Sequence, residues 1–80
     1  MTTVTVLYFA SLRDAAGMSS EVIETNANDL REFYDELRSR HDFALAPDCL
    51  RVAVDGAFSK WDDAVCSGSE VAFIPPVSGG

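Results

Sequence analysis

An α+β fold, with one mixed sheet packed against one main helix, is what this sequence predicts. Two observations carry it. Leu30, Phe33, Tyr34 and Leu37 fall at i, i+3, i+4 and i+7 and mark a single apolar stripe at helical spacing. Around that stripe lie short runs of alternating or continuous β-branched and aromatic residues, bounded by turn chemistry. Strands grouped about one amphipathic helix bury their apolar faces by placing the helix on one side of the sheet.

The elements follow in order. Thr3 to Phe9 reads as a first strand, and its near-continuous apolar character suggests a central one, covered on part of both faces. Ser11 to Gly17 predicts a short helix that stops at Gly17. Glu21 to Thr25 is a second strand. Asn26 to Asn28 supply turn and cap chemistry, and Asp29 with Glu32 three positions on resembles a capping box. The main helix then closes on Arg38, Arg40 and His41, where positive charge suits the helix dipole. His41 reads as a helix-end surface histidine, having no companion at metal-ligand spacing. After a loop or short turn from Phe43 to Pro47, Cys49 to Val54 is a third strand that runs into Asp55-Gly56, a hairpin turn signal, with Ala57 to Ser59 as its partner. Trp61 to Ser69 forms an irregular connection in which Trp61 covers a core edge. Glu70 to Ile74 is the last strand, and Pro75 ends regular pairing because it has no N–H to donate.

The order β, short helix, β, long helix, β, β, β, finishing in a free tail, resembles the β-grasp fold of ubiquitin-like proteins. The expected organisation is one domain over residues 1–74 and a flexible Gly-Gly tail over residues 75–80.

Composition narrows the function. Thirteen acidic residues against six basic ones give a formal charge of −7, which disfavours binding to nucleic-acid phosphates; the charge reads first as a solubilising surface and second as one that would steer a basic protein partner. The first apolar run, in MTTVTVLYFA, has no basic residue ahead of it and is too short to span a membrane, so neither a secretory signal nor a membrane anchor is expected. Cys49 and Cys66 fit no disulfide scaffold, zinc pattern or iron–sulfur set, and are expected reduced and partly buried in a cytoplasmic protein. No metal site is expected. The acidic pairs Asp35-Glu36 and Asp62-Asp63 read as solvated surface, and no general acid or base is nominated.

The ending, VAFIPPVSGG, holds the most chemistry. Pro75 and Pro76 favour an extended exit, Val77 is one apolar anchor, Ser78 is small, and Gly79 and Gly80 can pass through a channel too narrow for side chains. Six extended residues reach roughly 20 Å, enough to place a carboxylate inside another protein. A carboxylate becomes reactive only once converted to a mixed anhydride. The chain has no GxxxxGK[ST] loop, so a partner must carry out that activation with ATP.

Over its full length the chain resembles the small, sulfur-carrier subunits of molybdopterin synthase. The carrying stretches are VTVLYFASLRDAAG, VAVDGAF and EVAFIPPVSGG. The resemblance implies that Gly80 is adenylated by a ubiquitin-activating-like adenylyltransferase and thiocarboxylated with sulfur from a donor protein. It implies that the tail enters the large synthase subunit, within a heterotetramer, and gives its sulfur to cyclic pyranopterin monophosphate. The carrier itself holds no cofactor and is no enzyme. Gly79, Ser78, Val77, Pro76 and Pro75 would then serve insertion, while Phe9, Phe58, Ile74 and Arg13 match partner-binding positions. Where the family commonly has Gly-Asp-Glu before the last strand, this chain has Gly68-Ser69-Glu70. Three alternatives stand beside this: a ubiquitin-like protein modifier, a sulfur carrier for a pathway such as thiazole synthesis, and a plain β-grasp interaction module.

Overall fold

A computed structural model describes residues 2–76. The expectations placed on Val77, Ser78, Gly79 and Gly80 lie outside the described residues. Five strands form one mixed sheet: β1 (Thr2–Tyr8), β2 (Ser20–Thr25), β3 (Arg51–Val54), β4 (Ala57–Ser59) and β5 (Glu70–Ile74). Their spatial order is β2-β1-β5-β3-β4. β1 and β5 run parallel, and every other neighbouring pair is antiparallel. Two helices complete the chain, α1 (Ala10–Ala16) and α2 (Leu30–His41), with a 3-10 turn at Pro47–Cys49.

The four stripe residues of α2 are fully buried, and they meet the sheet residues Val4, Val6, Val52, Val71 and Phe73. Aromatic contacts knit this layer: Phe73 lies 5.0 Å from Tyr34 between ring centroids and stacks on Trp61 at 5.9 Å. Trp61 therefore closes the core edge, as its loop position implies. Tyr34 donates from its hydroxyl to the Leu45 carbonyl at 2.8 Å, and burial pushes its phenol up to about 12.

A helix begins with backbone N–H groups that have no intrahelical partner. In α2 they are satisfied from outside. Leu30 N–H donates to the Asp63 carbonyl and Arg31 N–H to that of Trp61, each at 3.0 Å, while Glu32 N–H donates to the Asp29 carboxylate at 2.9 Å. The irregular 61–69 connection is thus also the seat of the helix. Glu32 does reach back, but to the N–H of Asn28 rather than that of Asp29, so the box is one residue wider than its sequence pattern implies. At the far end of β2, the Thr25 hydroxyl donates to Glu36 on α2 at 2.8 Å.

β1 is an interior strand between β2 and β5, fully buried on one face and partly covered on the other, as its sequence implies, although β5 is the middle strand of the five. The structure corrects several expectations. The third strand starts at Arg51, because Pro47 opens a 3-10 turn that takes up Cys49. That turn and the loop at Cys66 leave both cysteines exposed rather than partly buried. His41 is no surface residue. Its side chain is only 12% exposed, and its Nε2 lies 2.6 Å from the Glu21 carboxylate, which also accepts from the Tyr8 hydroxyl at 2.5 Å. Burial alone would raise the Glu21 pKa. The hydrogen bonds from Tyr8 and His41, with the positive charge of His41 and Arg40, hold it below the usual carboxylate value.

Asp55 and Gly56 both take positive φ, 51° and 88°, the geometry that matches a two-residue turn to the twist of the β3–β4 hairpin.

Candidate functional site at the end of the last strand

Strand register decides what lies beside the tail. Successive side chains point to opposite faces, so Phe73 enters the core under α2 while Ile74 turns to the uncovered side. Across the sheet, Ile74 pairs with Arg51, Ala72 with Ala53, and Ala53 with Phe58. On the other flank Leu7 pairs with Ala72. These pairings gather an apolar patch on the face that has no helix.

Phe9, Phe58 and Ile74, which the family resemblance nominated, line one shallow groove of about 250 Å³ together with Leu7, Ala53 and Ala72. Phe58 is 70% exposed and Phe9 43%, large values for aromatic rings. Phe9 reaches this face because the chain turns sharply after β1. It caps α1 in an extended conformation, and Ala10 follows at φ 50°, in the left-handed region that alanine rarely adopts. A wider groove of about 610 Å³ continues from Phe9 and Ala10 across Ser11 and Asp14 to Ile74, Pro75 and Pro76. A third, of about 450 Å³, flanks the same prolines on the side of Asp48, Cys49 and Arg51. The root of the tail thus stands between concave surfaces. Pro75 is itself buried, and Pro76 is exposed.

Arg13 stands apart. It is exposed on α1 and lines none of these three grooves, and its carbonyl accepts the Gly17 N–H that ends the helix. Sequence reasoning did not nominate Leu7, Ala53, Ala72 or Arg51. Alternation along each strand signals their face, but only the pairing register puts them beside Ile74. The Tyr8–Glu21–His41 cluster belongs to the helix-covered side, since Glu21 pairs with the fully buried Val6. Among the described residues no group of three or more His, Cys, Asp or Glu side chains is placed to hold a metal ion, and no helix is long and apolar enough to cross a membrane.

The ThiS family model matches residues 6–80, nearly the whole chain and the tail with it. The chain belongs to the ThiS family. It is 36% identical to the molybdopterin synthase sulfur carrier subunit of Mycobacterium tuberculosis, over 84 aligned residues covering 100% of both chains. A solved structure from Pyrococcus furiosus, assigned as molybdopterin converting factor subunit 1, matches with TM-score 0.79 at 30% identity over 96% of this chain and 100% of that one. The crystal structure of SAMP1 from Haloferax volcanii matches with TM-score 0.78 at 25% identity, covering 98% and 99% of the two chains. The fold is the ubiquitin-like β-grasp, an α+β sheet with one main helix, as the order of elements predicts.

Proposed function

We propose that this chain is the sulfur carrier subunit of a molybdopterin synthase, with Gly80 as the working end. The observation that carries the reading is the convergence of Phe9, Phe58 and Ile74 on the helix-free face, beside the root of the tail. A patch of exposed aromatic and aliphatic side chains at that point suits docking onto a large subunit. The relatives, alike over their full length, support the same assignment.

In this reading the Gly80 carboxylate attacks the α-phosphate of ATP on a ubiquitin-activating-like adenylyltransferase, releasing pyrophosphate. The outer sulfur of a donor protein's persulfide then attacks the acyl-adenylate carbonyl and displaces AMP, and a thiol reduces the resulting acyl disulfide, leaving a thiocarboxylate. Docked on the large subunit, the thiocarboxylate sulfur bonds to a carbon of cyclic pyranopterin monophosphate, and water hydrolyses the acyl–sulfur bond, leaving the sulfur on the pterin and returning the tail as a carboxylate. This chain contributes reach, a slender terminus and a docking face. The nucleotide site, the pterin site and the groups that catalyse transfer belong to its partners, and the carrier binds no cofactor of its own. An ATP-using partner of this kind places the work in the cytoplasm.

Adding one residue after Gly80 tests the mechanism. The extended protein should fold and dock but transfer no sulfur in an assay for pyranopterin conversion. Retained transfer would remove the terminal carboxylate from the account.

The likeness to SAMP1, a small archaeal modifier protein, favours a second reading as a protein modifier that forms isopeptide bonds through Gly80. Covalent ladders that depend on Gly80 in cell extract would support it over the carrier.

A further inference from the structure

The helix-free face is electrically uneven. Among the described residues that the register turns to this face, Arg51 is the single cation. It pairs across the sheet with Ile74 and lines the groove that holds Pro75 and Pro76. Glu70, four residues before Ile74 on the same side of β5, lies at the opposite end of the patch, about 13 Å away along the strand. The apolar residues sit between these two ends.

Arg51 makes no ion pair among the described residues. The acid nearest in sequence, Asp48, is engaged by Arg31 of α2 at 3.4 Å. The Arg51 guanidinium instead lies 5.8 Å from the centroid of the exposed Phe58 ring. Stacking on an aromatic face restrains the planar fork but leaves its N–H donors free.

Docking a partner over Phe58 and Ile74 would strip water from this guanidinium, a costly step unless a charge opposite compensates. On that ground, and resting on the carrier reading, we infer that Arg51 is an orientation-determining contact that pairs with a carboxylate side chain of the large subunit. A chain of net charge −7 is steered toward partner surfaces that are basic in general. An acidic side chain opposite Arg51 is the local exception that fixes which way round the face docks. A half-turn of the carrier would set Arg51 against basic groups. Because Arg51 borders the tail root, this contact also sets the direction from which the terminal residues approach the partner.

The test is calorimetric binding of the wild type and of Arg51→Lys, Arg51→Ala and Arg51→Glu to the molybdopterin synthase large subunit from the same source, at low and high salt. Thermal melts of each free carrier report folding. The inference expects unchanged melts and a graded loss of affinity: a few-fold for lysine, about tenfold for alanine, and more for glutamate. The salt dependence should weaken in Arg51→Ala. Alanine and glutamate variants that bind within twofold of the wild type would overturn the inference and leave the carrier reading standing. Equal losses for lysine and glutamate would overturn it too, since the charge would then be irrelevant. Wild-type protein that fails to bind would overturn the carrier reading and the inference with it.

Discussion

The two faces of the sheet are built from the same strands and end in different states. Toward α2, Val4, Val6, Val52, Val71 and Phe73 are almost wholly buried and enclosed by aromatic neighbours. Toward the other side, Leu7, Ala72 and Ile74 are half-exposed, and Phe58 is largely exposed. Both faces are apolar at their centres, so both have apolar surface to shed. The helix completes one within the chain, whereas the other stays uncovered and is the proposed docking face. The difference teaches that covering one face holds the fold together and leaves the other free for the proposed recognition, with β5 contributing to both through the alternation of Phe73 and Ile74.

The hardest way to break that division is Phe73→Ala. Losing a fully buried ring costs about 3–5 kcal/mol, against about 4–12 kcal/mol of total stability for a chain of this size. Chemical denaturation should show the variant stripped of roughly a quarter or more of its stability, and unfolded if the wild type lies at the low end of that range. Should it keep wild-type stability, the helix-covered face would not be what holds the fold together.

A middle-sized effect sits at the edge of the covered side. Glu21→Gln removes the charge that joins Tyr8 and His41 and should cost about 1–3 kcal/mol near neutral pH. The sign with pH follows from the depressed Glu21 pKa. A carboxyl held lower in the folded state than its unfolded value of about 4.3 stabilises fully above that pH, and its contribution is lost as pH falls through the folded value. The stability gap between wild type and Glu21→Gln should therefore close below about pH 4. A gap that stays constant down to pH 3 would show that the charge is not what the cluster uses.

The smallest effect on stability is expected from the helix-free face, and it sharpens the comparison most. Phe58→Ala should shift stability by no more than about 0.5 kcal/mol, while Ile74→Asp, a charge placed in the docking patch, should weaken association with the large subunit. Melts alongside binding isotherms separate the two. Phe58→Ala that unfolds the chain would make that face structural.

How legible all this was depends on how local each cause is. The α2 stripe, the Gly17 stop, the Asp55-Gly56 turn and the end of β5 at Ile74 rest on spacings or backbone preferences within a few residues, and each could be read directly. His41 could not, because the carboxylate that encloses it lies 20 residues away on another strand. The positive φ of Ala10 is imposed by the β1–α1 reversal, not by the residue, since alanine carries no preference for it. Pro47 was read only as the last residue of a loop, whereas it opens a 3-10 turn that takes up Cys49 and leaves its thiol exposed. At the candidate site, Phe9, Phe58 and Ile74 were marked by the family resemblance. Ala53, Ala72 and Arg51 were not, because their importance arises from pairing register across three strands.

The central claim is that Gly80 is the chemical end of a carrier. Its most direct test is the intact mass of this protein after incubation with an active ubiquitin-activating-like adenylyltransferase, ATP and a sulfur source. The account predicts a mass gain matching replacement of one carboxylate oxygen by sulfur, absent when Gly80 is deleted. An unchanged mass, with an enzyme shown to be active on its own carrier and to bind this chain, would contradict it.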